Sequence, residues 1–286
     1  MSSLLIEKSV DEPIIISSSP VKDDGLTWLS KLNLTKSDRE ILRSDAWLND
    51  NIIYAAQSLL CEQTKGSVFG WRSTQCAKNF SFKPIPSRSP FVQVLHVAEC
   101  HWVVVSNVDP KEGGCFTNSV AYYDSGRLLN ISARIRNTVC SFFKCDAATL
   151  RFDIVDVMTQ PNASDCGVFA LANATELAYG NDPALCRWDS KNMRQHLLQC
   201  LQNGQMDRFP VSGKRRIPLG SRIRKSYAEK LYCICRMPNS RSRAMIQCDR
   251  CKNYFHMDCM KLDDHKSYEN EEWSCHQCLD ILDKML

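Results

Sequence analysis

The last fifty or so residues limit this chain more than any other stretch. Seven of its sixteen cysteines crowd between Cys233 and Cys278, while the other nine are scattered before residue 201 with no repeated spacing. With one histidine they form four pairs: Cys233 with Cys235, Cys248 with Cys251, His256 with Cys259, and Cys275 with Cys278. Thiolate and imidazole are the ligands of structural zinc, and eight of them in pairs make two closed tetrahedral sites. A segment this short buries too little apolar surface to hold itself folded. Zinc, worth roughly 10–16 kcal/mol per structural site, supplies what the core lacks. His265 and His276 are spare.

The rest of the chain must carry its own core. With 286 residues, 44% of them apolar, it can support one substantial domain beside the small one. The N-terminal MSSLLIEKSVDEP has no basic run before its short apolar stretch and does not read as a secretory signal. No stretch is long enough to cross a bilayer. A reduced, intracellular protein is expected, with no membrane partner and its cysteines free or metal-bound rather than paired in disulfides.

Charge is uneven. Between Val211 and Leu231 stand Lys214, Arg215, Arg216, Arg222, Arg224, Lys225 and Lys230 against the single acid Glu229, although the whole chain nets only +4. With its Gly, Ser and Pro residues, this segment reads as a basic linker (211–230) between the two domains. It is either a solvated linker, a nuclear address or a weak nucleic-acid contact. Residues 1–24 are Ser-rich and polar and read as a disordered tail. The island DEPIIISSSPVKDD within it resembles a SUMO-interacting strand, or is inert.

Residues 25–210 alternate elements. Leu48, Ile52, Ile53, Ala56 and Leu59 follow helical spacing. Strands are expected at 91–98, 101–108 and 119–125, a helix near 131–143, a strand at 151–157, a helix from Cys166 to Tyr179 stopped by Gly180, and a last helix near 190–202. This order is α+β.

Cysteine attack on a carbonyl needs thiolate, and an ordinary thiol of pKa ~8.5 is only a few per cent ionised at neutral pH. A helix N-terminus and a neighbouring imidazolium both lower that value. In QPNASDCGVFALANA, Cys166 opens an apolar helix that Ser164 or Asp165 can cap, and Gly167 lets another segment approach closely. His101 opens the strand HWVVVSNV, and Asp124 closes the next one. Antiparallel neighbours bring these two ends together, where a carboxylate can hold an imidazole in one tautomer. Gln160, six residues before Cys166, offers an amide to a developing oxyanion. Lowering a thiol pKa by ~4 units corresponds to roughly 5 kcal/mol, of which a helix dipole supplies about 1 kcal/mol or less. His101 must carry the remainder. Each residue also has a plainer reading: a structural thiol, a satisfied core histidine, a turn Asp before Ser-Gly, core aromatics at Trp47 and Trp102.

Taken together, WLNDNII, HWVVV, YYDS and QPNASDCGVF resemble the Ulp/sentrin-specific peptidases, cysteine peptidases of ubiquitin-like proteins, over roughly residues 26–205. The resemblance implies a papain-like fold of the Ulp type, with His101, Asp124, Cys166 and Gln160 catalytic. It also implies a narrow tunnel over the substrate's terminal Gly-Gly, walled by Trp47 and Trp102. Flat indole walls accept glycine because a Cβ would collide with them.

In the C-terminal unit (231–281) the histidine is the fifth ligand, where a ring finger has it fourth, and Trp273 precedes Cys275 by two. This resembles a PHD finger. The resemblance implies that Cys233 and Cys235 share a metal with His256 and Cys259, and that Cys248 and Cys251 share one with Cys275 and Cys278. PHD fingers often bind the histone H3 tail. The subgroup that reads trimethylated lysine begins YC and carries MI-x-C-D, matched here by Tyr232 and Met245. A cage needs π faces around the quaternary ammonium. Tyr254 stands where the family usually has Trp, and Asn239 where some members have a further aromatic, so the cage is thinner. Asp249 offers a partner to a basic tail residue. A finger that binds unmodified tail, or only builds structure, remains the alternative.

The expectation is a nuclear cysteine peptidase of SUMO, with two structural zinc ions and no catalytic cofactor. Its finger would hold it near chromatin substrates through a short linker that raises their effective concentration. Ubiquitin or NEDD8 is the alternative modifier, because each ends in Gly-Gly. A non-enzymatic chromatin adaptor is the remaining rival, opposed by the intact Cys166, His101 and Asp124.

Overall fold

The computed structural model describes residues 26–72, 84–85, 88–98, 100–127, 129–218, 221–240, 243–262 and 272–283. The segment 1–24, with its isoleucine island, lies outside them.

A short hairpin of β1 (Thr27–Leu29) and β2 (Leu34–Thr35) leads into α1 (Lys36–Arg43), where Thr35 and Asp38 cap each other's backbone reciprocally. Asn49 starts α2 (Asp50–Thr64) by accepting from the Ile52 N–H, a contact worth about 1 kcal/mol. Then come β3 (Phe69–Gly70), β4 (Phe91–Val97), β5 (His101–Ser106), β6 (Ser119–Tyr123), α3 (Ala133–Phe142) and β7 (Thr149–Val155). The larger unit ends with α4 (Cys166–Ala178), β8 (Cys186–Trp188), α5 (Met193–Asn203), β9 (Val211–Lys214) and β10 (Ile223–Lys230). The finger holds β11 (Met245–Gln247), β12 (Tyr254–His256) and α6 (His276–Asp283). The class is the α+β one that the element order implied.

Six strands form the central sheet in the order β10-β7-β6-β5-β4-β3, with β6–β7 and β3–β4 parallel and the other pairs antiparallel. Val92, Val94, Trp102 and Val104 face a core shared with α2 and α4. Leu95, Val103, Val105 and Val120 face the opposite core, closed by α3. Strands covered on both faces are apolar without alternation, which is why HWVVV reads as a continuous run. Helix α4 is buried on every side from Cys166 to Leu177, and its one buried acid, Glu176, is paired with Arg208 at 2.8 Å. Gly180, in the left-handed region at φ +72°, ends its last turn.

The basic segment expected as a linker is part of the fold. β9 pairs with β8, and β10 runs antiparallel to β7 at the edge of the main sheet, with Ile223 opposite Val155 and Lys230 opposite Thr149. Several of its cations are engaged internally. Arg215 and Arg224 pair with Asp156, Arg222 pairs with Asp182, and Lys225 lies over the Tyr227 ring. These four charges brace the sheet edge, while Lys214, Arg216 and Lys230 are exposed.

The finger therefore follows β10 with no tether. Leu231 is buried in the core closed by α3, and its N–H donates to the Ala148 carbonyl at 2.9 Å. Arg236 of the finger donates to the carbonyls of Cys145, at 3.0 Å, Asp146 and Ala147. The Lys144 ammonium donates in turn to the Cys235 carbonyl at 3.0 Å. These contacts join the finger directly to the larger unit where a basic linker (211–230) is expected.

Candidate active site and metal clusters

His101 begins β5, and Asp124 directly follows β6. Val104 is paired with Tyr123. Continuing that register brings His101 to Gly126, beside Asp124. The His101 Nε2 lies 2.6 Å from Asp124 Oδ1. Asp124 is buried, and the Gly126 N–H donates to the same oxygen at 2.7 Å. Only glycine fits at 126, because a Cβ there would sit 2.9 Å from His101 Cε1. With Nε2 engaged, Nδ1 is the nitrogen left for Cys166. Burial works against charge on His101, but its bonds to Asp124 and Cys166 outweigh it and raise the pKa to about 10. The ring is thus an imidazolium at neutral pH, the partner a thiolate needs.

Cys166 is the first residue of α4 and is buried. Asp165 occupies the cap position but makes no capping bond. Its carboxylate is drawn aside, accepting from Arg194 Nε at 2.7 Å and from Asn162 Nδ2 at 2.9 Å. The expectation of a Ser164 or Asp165 cap is thereby corrected. The physical gain is that the first-turn N–H groups stay open to negative charge on a sulfur or an oxyanion. Gly167 admits Leu48, whose Cβ would lie 3.0 Å from any Cβ added there.

Gln160 is locked in place. Its backbone N–H donates to the Ser125 carbonyl at 3.1 Å, and the Ser125 hydroxyl donates to its Oε1 at 2.7 Å. Nε2 donates to the Asn162 carbonyl at 2.7 Å, and its second N–H is available to a ligand. Nothing in the residue type of Ser125 marks this role. Its only signal was its place directly after Asp124.

The two tryptophans differ. Trp47 is 52% exposed and donates from Nε1 to the Ala163 carbonyl at 3.0 Å. Trp102 is buried, stacks on His96 at 4.4 Å and donates to the Leu48 carbonyl at 3.0 Å. Trp102 is therefore a brace beneath the Trp47 loop, and Trp47 carries the exposed indole. Arg194 of α5, which the sequence reading also missed, reaches both loops.

In the finger, the candidate ligand atoms of Cys233, Cys235, His256 and Cys259 lie within 4.8 Å of one another, and so do those of Cys248, Cys251, Cys275 and Cys278. This is the interleaved grouping. The fit to zinc is good. Zn–S bonds of ~2.3 Å put tetrahedral sulfurs roughly 3.8 Å apart, and Cys251 Sγ stands 3.9 Å from Cys275 Sγ. Cys235 Sγ is 3.3 Å from His256 Nδ1, while His256 Nε2 meets the Pro238 carbonyl at 3.3 Å, which fixes the ligating tautomer. Burial and the nearby Arg243 push the His256 pKa down and keep the ring neutral, as a ligand must be. Arg243 also donates to Cys259 Sγ at 3.0 Å, offsetting the charge of three thiolates.

Tyr232 and Tyr254 meet at 89° with centroids 6.4 Å apart, on a cavity of about 390 Å³ that Ala148, Leu231 and Arg236 also line. Met245 and Asp249 are not among its walls. Met245 pairs with His256 across β11–β12. Asp249 accepts from the Trp273 N–H at 2.9 Å and lies 3.6 Å from the Lys252 ammonium.

A thiol at a helix start facing an Asp-held imidazolium defines a cysteine peptidase domain, here joined to a zinc finger with crossed ligand pairs. Residues 90–201 match the Ulp1 protease family, C-terminal catalytic domain, and residues 233–278 match the PHD-finger family. The two matched stretches are thus similar to a Ulp1-type catalytic domain and, after it, a PHD finger. Curated relatives match the finger. Over 51 residues it is 41% identical to lysine-specific demethylase 7A of Xenopus tropicalis, covering 18% of this chain and 6% of that protein. Over 50 residues it is 42% identical to the nucleosome-remodeling factor subunit NURF301 of Drosophila melanogaster, covering 18% and 2%. The chain spans only this small part of the relatives' lengths. Similar solved structures include the C-terminal Ulp1 protease domain in complex with Smt3, the yeast ortholog of SUMO. That likeness is 15% identical with TM-score 0.44, over 60% of this chain and 83% of that one. Another is the SUMO protease Ulp1 with its catalytic cysteine oxidised to a sulfinic acid, 16% identical with TM-score 0.47, over 60% and 85%.

Proposed function

We propose that this protein is a thiol isopeptidase that cleaves after the terminal Gly-Gly of a ubiquitin-like modifier, SUMO foremost, with a PHD finger that directs it to histone H3 tails in the nucleus. The carrying observation is the single connected array in which Asp124 holds His101, His101 faces Cys166, and Ser125 orients Gln160 beside them.

The Cys166 thiolate attacks the Gly carbonyl carbon, and the carbonyl oxygen takes the negative charge. The free Nε2–H of Gln160 and the open N-terminal N–H groups of α4 stabilise it. His101 gives its proton to the leaving lysine amine as the C–N bond breaks, leaving a thioester. His101, now neutral, takes a proton from water as the water attacks. The modifier leaves with a C-terminal carboxylate and the thiolate–imidazolium pair is restored. Trp47 forms the exposed wall of the passage that favours glycine. The metal has no part in this chemistry: two zinc ions hold the finger.

A panel of modifiers bearing C-terminal electrophiles, with Cys166→Ser as control, tests the activity. Labelling of Cys166 by a SUMO probe is expected, and preference for ubiquitin or NEDD8 would reassign the substrate. Silence toward every modifier would leave the protein a non-enzymatic adaptor. For the finger, the Tyr232–Tyr254 right angle favours methyl-lysine reading. Tyr232→Ala is expected to weaken binding of a trimethyl-lysine H3 peptide by tenfold or more. Equal binding of the unmodified peptide would remove the cage.

A further inference from the structure

We infer that Arg194 is a positioning residue that clasps the Trp47 loop to the nucleophile loop and so sets affinity for the modifier's C-terminus; the inference rests on the peptidase reading. The Arg194 side chain projects from α5 and is only 13% exposed. Its Nε donates to Asp165 Oδ1 at 2.7 Å, the residue before Cys166. Nη1 donates to the Ile41 carbonyl at 3.1 Å. Nη2 donates to the Ala46 carbonyl at 2.8 Å and lies 3.4 Å from the Ser164 carbonyl. Two of these acceptors, on Ser164 and Asp165, directly precede the nucleophile, and two belong to the segment that leads into Trp47. A planar guanidinium is the side chain that can satisfy four acceptors in a fixed fork, which an ammonium cannot do.

The clasp has a purpose in the geometry. The Trp47 loop has few other anchors facing the nucleophile: the Trp47 Nε1–H on Ala163, the Trp102 Nε1–H on Leu48, and the Leu48–Gly167 contact. The Trp47–Ala163 and Leu48–Gly167 contacts span the same seam that Arg194 crosses, while Trp102 supports the loop from β5. Asp165 keeps its second bond, from Asn162, when Arg194 is lost. The Ile41 and Ala46 carbonyls lose their Arg194 donors outright, so the segment leading into Trp47 loosens while Asp165 stays tied. Loss of the arginine is expected to act on the substrate passage before it acts on Cys166 and His101.

The test uses the full chain, zinc-loaded, with the C-terminal aminocoumarin conjugate of whichever modifier labels the wild type. Arg194→Gln is expected to raise KM about tenfold, as the loss of ~1.4 kcal/mol of positioning would, with kcat changed less than threefold. Iodoacetamide, which needs no passage for a Gly-Gly tail, is expected to alkylate Cys166 at least as fast as in wild type. Arg194→Lys should fall between the two. If Arg194→Gln does not fold, Arg194→Lys carries the test by the same KM rise at an unchanged melting temperature. Unchanged KM in the folded variants overturns the inference, and so does a fall in kcat and alkylation together without a KM change. A wild type that is alkylated by iodoacetamide yet ignores every modifier overturns the peptidase reading and this inference with it. A wild type that takes a modifier while Arg194→Gln takes it equally well overturns the inference alone.

Discussion

The Ser125 hydroxyl donates to Gln160 Oε1 at 2.7 Å, while Asp124, one residue earlier, holds His101 Nε2 at 2.6 Å. One strand end thus orients both the imidazole and the carboxamide. Without the Ser125 hydroxyl, the Gln160 amide can turn its oxygen toward a developing oxyanion. Deleting an oxyanion donor outright lowers kcat by ~10²–10³. Ser125→Ala, which only loosens one, is expected to lower kcat about tenfold at unchanged KM. In a Gln160→Ala background the same change should add almost nothing. Fully additive losses in that double variant would place the action of Ser125 elsewhere.

Gly126→Ala tests the packing around His101. The new Cβ would lie 2.9 Å from the ring Cε1 and 3.2 Å from Asp124 Oδ1, and the ring cannot retreat while Asp124 holds it. The imidazole must tilt away from Cys166. A misplacement of about 1 Å at the chemistry costs on the order of 10²-fold, so kcat is expected to fall by about that factor. Thermal melting should move by only a few degrees. A variant with wild-type kcat would mean that the ring is freer than its contacts imply.

How much of this could be read beforehand follows from where each contact lies in the chain. His101, Asp124 and Cys166 stand at the ends of elements whose periods the sequence displays, so strand order alone brings the first two together. The finger's ligands are legible because metal spacing is local. Arg194 and Ser125 were not legible. Arg194 binds backbone carbonyls as far as 153 residues away, and a carbonyl leaves no mark on residue type. β10 was hidden for another reason. It is an edge strand with a largely exposed surface that composes like a linker, and the acids that pair with Arg224 in it and Arg222 just before it, Asp156 and Asp182, lie far off in the chain.

The His101–Asp124 pair has a pH signature in stability. The folded pKa of His101 is raised to about 10, from 6.5 for an ordinary histidine. The folded state holds the proton more tightly than the unfolded one. Its contribution is therefore complete below pH 6.5 and drains away as the pH rises toward 10. Asp124→Asn removes the main attraction for that proton. The gap in melting temperature between wild type and Asp124→Asn is expected to be widest near pH 6 and to close by pH 10. A gap constant across that range would show that His101 is not charged in the fold.

Zinc removal should reach beyond the finger. Leu231 lies in the core closed by α3, with Met237 of the finger packed against it, and Arg236 holds three carbonyls of the 145–147 turn. Loss of the zinc-held fold releases these contacts. Burial of one Leu side chain is worth roughly 1.5–3 kcal/mol. In a domain of this size each kcal/mol moves the melting temperature by roughly 2–4 °C. Chelation is thus expected to lower the peptidase transition by roughly 5–10 °C in calorimetry, with zinc release followed by a colorimetric dye. Arg236→Ala, with zinc still bound, should reproduce part of that drop, because it cuts the seam without melting the finger. If the peptidase transition stays put once the zinc has demonstrably left, the finger is only a neighbour and its orientation is not fixed by these contacts. If it moves, metal occupancy becomes a determinant of peptidase stability.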